Sequence, residues 1–249
     1  MVQLYPIGIS DALTHAVQIL KHSGLEIVDH PTPEVTHLLL DVPSFTKEGL
    51  LRNGIQPQKI LETLPPYITV VGGNLDHSAL EGYRIWDLLQ DPQYLALNAA
   101  ITADCAMQIA APLLKTTFRH CPALILGWGR IGKCLGQLLR GVGAQVTIAA
   151  RKPEDRAMID ALGYQAADPY NLQDLPSYRI LFNTVPQRML TQSRLNPCRN
   201  CVKIDLASIP GLEGEDVVWA RGLPGIHAPE SSGKLIAETF LQKLKEEKV

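Results

Sequence analysis

The chain has 249 residues, 46% hydrophobic and 19% charged, which suits two compact domains with real cores and excludes a disordered chain. A formal net charge of −2, with no basic run, gives no reason to expect nucleic acid or an anionic membrane as partner. Residues 1–10 carry no basic n-region, no stretch reaches the roughly 18 apolar residues of a membrane span, and five cysteines make no disulfide framework. The expectation is a cytoplasmic protein.

Taken in order, residues 2–9 read as a strand and 11–21 as a helix, with Ser10 as its N-cap and Gly24 as its stop. Strands are predicted at 25–28, at 35–42 and at 68–71, and a helix at 56–64. The continuous run Leu38-Leu39-Leu40 suits a strand covered on both faces. A weak strand or helix covers 83–89. This alternation predicts a small parallel α/β domain of flavodoxin-like type over residues 1–97. An Ala-rich helix follows over 98–118, kinked at Pro112, and is read as a linker spanning 98–120.

The second half alternates again. Strands are predicted at 123–126, 146–149, 180–183, 202–206 and 217–219, and helices at 131–140 and 154–162. This is the pattern of a doubly wound Rossmann domain, placed at 121–228. A closing helix at 231–245, within a segment 229–249, is expected to pack back on the first domain. Cys198-Arg-Asn-Cys201 forms a C-x-x-C, but it lacks a second ligand pair and leads into a strand, so it is read as coincidence and no metal is expected.

The motif that carries chemistry is Gly127-Trp128-Gly129-Arg130-Ile131-Gly132. An apolar strand runs into it, an amphipathic helix with Ile131, Leu135, Leu138 and Leu139 runs out, and a second strand arrives about twenty residues on. Gly127 permits the tight turn, Gly129 lets a pyrophosphate approach the backbone, and Gly132 lets helix and strand pack closely. The helix N-terminus then offers free N–H groups to the phosphates.

An NAD site places Asp or Glu at the end of the second strand. This chain has Ala149-Ala150-Arg151-Lys152 instead. The Arg151 fork, with Lys152 beside it, suits a 2′-phosphate, so NADP is favoured and NAD is kept as the alternative. Three later segments belong at strand ends: Asn183-Thr184-Val185-Pro186, then Asp205-Leu206-Ala207-Ser208-Ile209-Pro210-Gly211, then Gly222-Leu223-Pro224-Gly225-Ile226-His227-Ala228-Pro229. Each alone is ordinary turn chemistry; together they suit a nicotinamide pocket. Thr184, Val185, Pro186, Leu206, Ala207, Ser208 and Pro224 are the candidate cofactor contacts.

On these motifs, with Asn98 to Ala110 and Ser232-Gly233, the chain resembles the A subunits of bacterial dipicolinate synthase. The resemblance runs over residues 83–249 and is faint before them. It implies a catalytic domain ahead of a Rossmann domain. It also implies oxidation of dihydrodipicolinate to dipicolinate with NADP⁺ during sporulation, beside a flavoprotein-like B subunit. More distantly the chain resembles the D-2-hydroxyacid dehydrogenase and adenosylhomocysteinase group. Two departures fall in the substrate-choosing half. The family's linker motif appears as Thr102-Ala-Asp104-Cys105, with Asp104 in place of Glu, and Ile7-Gly8-Ile9-Ser10-Asp11 lacks the family's arginine.

For catalysis His227 is the titratable candidate by position, and Asp104, beside Thr102, is the other; aromatising a dihydropyridine can also proceed with no base. Arg84, Arg188 and Asn98 are candidates to hold a small dicarboxylate substrate. The alternatives are a different small 2-hydroxy- or keto-acid dehydrogenase, or a non-catalytic nucleotide-binding subunit. A homo-oligomer is expected.

Overall fold

The computed structural model describes residues 2–247. Residue 1 of the expected N-terminal domain and residues 248–249 of the closing segment lie outside them. The chain divides into two compact units. One holds the residues up to Asn98 together with those from Pro224 onward, and the other spans Ala99–Leu223.

The first unit contains β1 (Gln3–Ile7), α1 (Asp11–His22), β2 (Glu26–Ile27), β3 (His37–Leu40), α2 (Pro57–Leu61), β4 (Thr69–Gly72) and β5 (Arg84–Asp87). All pairings are parallel, in the order β2-β1-β3-β4-β5. That is the flavodoxin-like order, with its switch point between β1 and β3. Every residue of β3 and β4 is buried, the signature of a parallel sheet covered on both faces. Leu38, Leu40 and Val70 join Leu51, Leu61 and Ile68 in one core cluster.

Helix α3 (Pro92–Ala110) begins earlier than its alanine pattern suggests. Asp91 supplies the start signal: its carboxylate accepts from the N–H groups of Gln93 (2.9 Å) and Tyr94 (3.0 Å), and Pro92 takes the first helical position. Pro112 does not kink this helix. The α-helix stops at Ala110, and Pro112 falls in a 3₁₀ turn, Ala111–Leu113, because its ring blocks continuation.

The second unit contains β6 (Pro122–Leu126), α4 (Arg130–Gly141), β7 (Gln145–Ala149), α5 (Pro153–Ala161), β8 (Gln165–Ala167), β9 (Ile180–Asn183), α6 (Gln192–Leu195), β10 (Val202–Asp205) and β11 (Val217–Trp219). Its parallel sheet runs β11-β10-β9-β6-β7-β8, the doubly wound Rossmann order. The segment before the last helix is not all loop: Leu223–His227 forms a short helix, α7, since proline is tolerated in a first helical turn.

The closing helix α8 (Pro229–Glu246) packs on α1 within the first unit. Gly233 lies at the crossing, where a Cβ would stand 2.5 Å from the Ala12 carbonyl oxygen and 2.9 Å from the Ala16 nitrogen. Lys243 pairs with Asp91 at 2.8 Å, and Phe240 is fully buried.

Beside Phe240 sits a buried histidine. The His37 ring lies 5.2 Å from Trp86 and 5.4 Å from Phe240. Its Nδ1 meets the Thr36 hydroxyl at 2.8 Å, while Nε2 has no hydrogen-bond partner among the described residues. Burial, aided by the Arg84 charge, pushes its pKa down from 6.5 to about 4. The folded state therefore refuses a proton that the unfolded chain accepts. Stability should fall as pH drops from the unfolded value of 6.5 to about 4, then level off. The loss should be about 3 kcal/mol. Urea unfolding of wild type and His37→Phe across that range checks it, since the variant should lack this component.

Candidate functional site

In the Rossmann sheet the strand order reverses between β6 and β9, so the loops after these parallel strands flank the ligand crevice. The glycine turn follows β6. Gly127 has φ +106°, the left-handed region where glycine is favoured, and a Cβ there would strike the Thr184 hydroxyl and lie 2.8 Å from Val185 Cγ2. Thr184 is held by its hydroxyl donating to the Leu126 carbonyl at 2.9 Å. Gly129 caps α4, whose first helical bond runs from Lys133 N–H to the Gly129 carbonyl (3.0 Å). The amides of Arg130, Ile131 and Gly132 thus have no intrahelical acceptor and face an anion's natural position. A Cβ at Gly129 would meet nothing within 4 Å, which leaves open space over the turn.

A cavity of ≈ 300 Å³ opens here. It gathers Gly127, Trp128, Gly129, Arg151, Lys152 and Val185 of the expected contacts. Thr184 stands behind the turn. Pro186 and Ser208 are exposed, Leu206 and Ala207 are buried, and none of these four lines the cavity. Pro224 lies in α7.

Four further lining residues were not foreseen from the sequence: Pro169 and Tyr170 after β8, and Gln187 and Met189. Asp155, too, lines the cavity, from the first turn of α5.

The β7 end itself is acid-free: Ala149 and Ala150 are buried and Arg151 and Lys152 exposed. The two loops beyond β9 and β10 are tied together by a buried pair. Asp205, fully buried, accepts from Asn183 Nδ2 (2.9 Å) and from the N–H groups of Ala207 (3.0 Å), Gly211 (2.7 Å) and Leu212 (2.9 Å). Asn183 also brackets Val185, donating to its carbonyl (3.0 Å) and accepting from its N–H (3.1 Å).

The corresponding loop of the first unit differs. At the β1/β3 switch point, the Asp41 carboxylate accepts from the N–H groups of Ile9 (2.8 Å) and Ser10 (3.2 Å) and from the Ser10 hydroxyl. Ser10 caps α1 as expected, accepting from Leu13 N–H at 3.1 Å. The protein's own Asp41 carboxylate thus already occupies the loop amides of Ile9 and Ser10, and the Ser10 hydroxyl takes that of Leu13.

The catalytic candidates are dispersed along the chain. His227 is exposed at the last residue of α7, Asp104 is exposed on α3, and Thr102 is buried on α3 and engaged. Arg188 is bound by Glu213 at 2.5 and 2.8 Å, and Arg84 by Glu247 at 2.7 Å.

The C-x-x-C is structural in character. Lys203, 1% exposed, donates to the carbonyls of Cys198 (2.9 Å) and Cys201 (3.2 Å) and pairs with Asp216 at 2.6 Å. Burial pushes the Cys201 thiol up to about 12, far from a reactive thiolate. Among the described residues no group of three or more His, Cys, Asp or Glu is arranged to hold a metal, and no helix is long and apolar enough to cross a membrane.

Fold and turn together define a two-unit α/β protein with a Rossmann dinucleotide-binding unit. No protein-family model matches the chain. By sequence it is similar to the A subunit of dipicolinate synthase from Bacillus subtilis (strain 168), 24% identical over 240 residues, covering 87% of this chain and 80% of that protein. The crystal structure of the B. subtilis protein superposes with a TM-score of 0.83 at 22% identity, covering 98% of this chain and 96% of that one. Its counterpart from Bacillus halodurans gives 0.82 at 21%, covering 98% of each. A D-isomer specific 2-hydroxyacid dehydrogenase from Lactobacillus delbrueckii ssp. bulgaricus, solved with NAD, gives 0.59 at 13%, covering 99% and 98%.

Proposed function

We propose that this chain is an NADP(H)-dependent oxidoreductase of the dipicolinate synthase type, oxidising dihydrodipicolinate to dipicolinate in the cytoplasm of a sporulating cell. The observation that carries the cofactor is the glycine turn joined to an acid-free strand end with two cations. The residues present fit such a dinucleotide. Gly129 leaves room for the pyrophosphate, the α4 amides meet its charge, and Arg151 and Lys152 meet a 2′-phosphate. Asp155 on the same cavity keeps NAD as the alternative. When bound, the nicotinamide supplies the hydride acceptor. The protein's part is to hold and orient: Thr184 and the Asn183–Asp205 pair fix the loops that shape the cavity. A proton released on aromatisation goes to His227, to Asp104 or directly to water.

A second reading, another small-acid dehydrogenase, is favoured by the first unit, where Asp41 fills the loop that lacks the family's arginine. A substrate screen of dihydrodipicolinate against 2-keto and 2-hydroxy acids separates the two. The expected partners are further copies of this chain, in a homo-oligomer, and a B subunit. Turnover that appears only with the latter would make this chain its nucleotide-binding half.

The cofactor is tested by titrating NADPH and NADH fluorescence. NADPH should bind more tightly, and Arg151→Asp should weaken it by about a hundredfold while moving NADH less than about threefold. An NADPH preference that survives Arg151→Asp would remove Arg151 from the 2′-phosphate site.

A further inference from the structure

Arg151 and Lys152 are exposed side chains on a short turn between β7 and α5. Exposed cations discriminate ligands only if their backbone is held in place. The residue that holds this turn is Arg156, on α5. Its Nη1 donates to the carbonyl oxygens of Ala150 (2.9 Å) and Arg151 (2.8 Å) and lies 3.7 Å from Asp168 Oδ2. Asp168 Oδ1 in turn accepts from Tyr170 N–H at 2.9 Å, and Ala150 N–H donates to the Ala167 carbonyl at 3.1 Å. One guanidinium therefore joins the segment bearing Arg151 to the segment bearing Tyr170. Both segments line the cavity, which Arg156 itself does not.

The placement has no explanation in helix stability. The side chain folds back toward the N-terminus of its own helix, where the macrodipole disfavours a cation. The two carbonyls and Asp168 are what hold it there. Its side chain is 25% exposed, less than a freely solvated arginine.

We infer that Arg156 is a positioning residue for dinucleotide selection, holding the Ala150 and Arg151 carbonyls so that the Arg151 fork stands at the 2′-phosphate. This rests on the proposal that Arg151 meets that phosphate. The rival explanation is that Arg156 acts by its own charge on the phosphate. The two differ in sign at Asp168: removing that carboxylate raises the local positive charge, yet it also loosens the clamp.

The test is a set of NADPH and NADH dissociation constants for wild type, Arg151→Ala, Arg156→Gln, the double variant and Asp168→Asn, with thermal melts of each. Arg156→Gln should lower the NADPH:NADH preference about tenfold. In the Arg151→Ala background it should change the ratio no further, because it acts through Arg151. Asp168→Asn should lower the preference too. Additive effects in the double variant, or tighter NADPH binding by Asp168→Asn, would overturn positioning in favour of direct charge. An unchanged ratio in a folded Arg156→Gln protein would overturn any role. Should Arg156→Gln fail to fold, the direction of the Asp168→Asn change decides. If wild type shows no NADPH preference, or Arg151→Ala keeps it, the proposal for Arg151 fails and the inference falls with it.

Discussion

A Gly129→Val variant is expected to fold with nearly wild-type stability and to bind NADPH at least about a hundredfold more weakly. The backbone at Gly129 (φ −77°, ψ −170°) is open to any residue, and a Cβ there meets nothing within 4 Å. The protein alone gives no structural reason for glycine at this position. The stability cost should stay within about 1 kcal/mol, the ordinary difference between residues at a helix N-cap. Gly132→Ala should behave in the opposite way. Its Cβ would fall against the Gly127 carbonyl oxygen, 3.1 Å from the Gly127 carbonyl carbon and 3.6 Å from Ile125 Cγ2. Backbone cannot rotate aside as a side chain does, so α4 or the turn must shift, at about 2 kcal/mol or more. Urea unfolding and NADPH titration of both variants separate the two roles. Wild-type NADPH affinity in Gly129→Val would mean that no pyrophosphate lies on this turn.

That contrast shows how much of the site was legible in the sequence. The glycine spacing, the strand before it and the absence of an acid after Ala149 are local features, and each has a local physical cause. Both sheets were legible for a similar reason: β3, β4 and β9 are buried on both faces, so their apolar runs are continuous. Strand β8 escaped because Gln165-Ala166-Ala167 carries no β-branched or aromatic residue and gains its order from pairing with β7. The cavity wall at Pro169 and Tyr170 follows that strand and was lost with it. Helix α7 was hidden by Pro224 and Gly225, which read as loop residues. Arg156 and Asp205 escaped for a different reason. Most of their acceptors and donors are backbone groups, which every sequence possesses, so only the fold reveals that these side chains hold loops together.

Asp205 carries the second large effect. Its carboxylate is fully buried and is stabilised by the Asn183 amide and three backbone N–H groups, from Ala207, Gly211 and Leu212. Asp205→Ala would strand all four donors away from water, and a buried unpaired donor costs about 1–3 kcal/mol. Partial relaxation lowers the sum, so the expected loss is about 4 kcal/mol in urea unfolding. Asp205→Asn should cost less, about 2 kcal/mol, because one oxygen remains. It still turns an NH₂ toward N–H donors: Oδ1 now serves Asn183 and Ala207, and Oδ2 serves Gly211 and Leu212. The damage should also reach the cavity, since Asn183 brackets Val185, and Val185 and Gln187 line it. NADPH affinity should fall in Asp205→Asn even under conditions where the protein stays folded. A loss below about 1 kcal/mol in Asp205→Ala would mean that water takes the place of the carboxylate, and that the loops after β9 and β10 hold their shape without it.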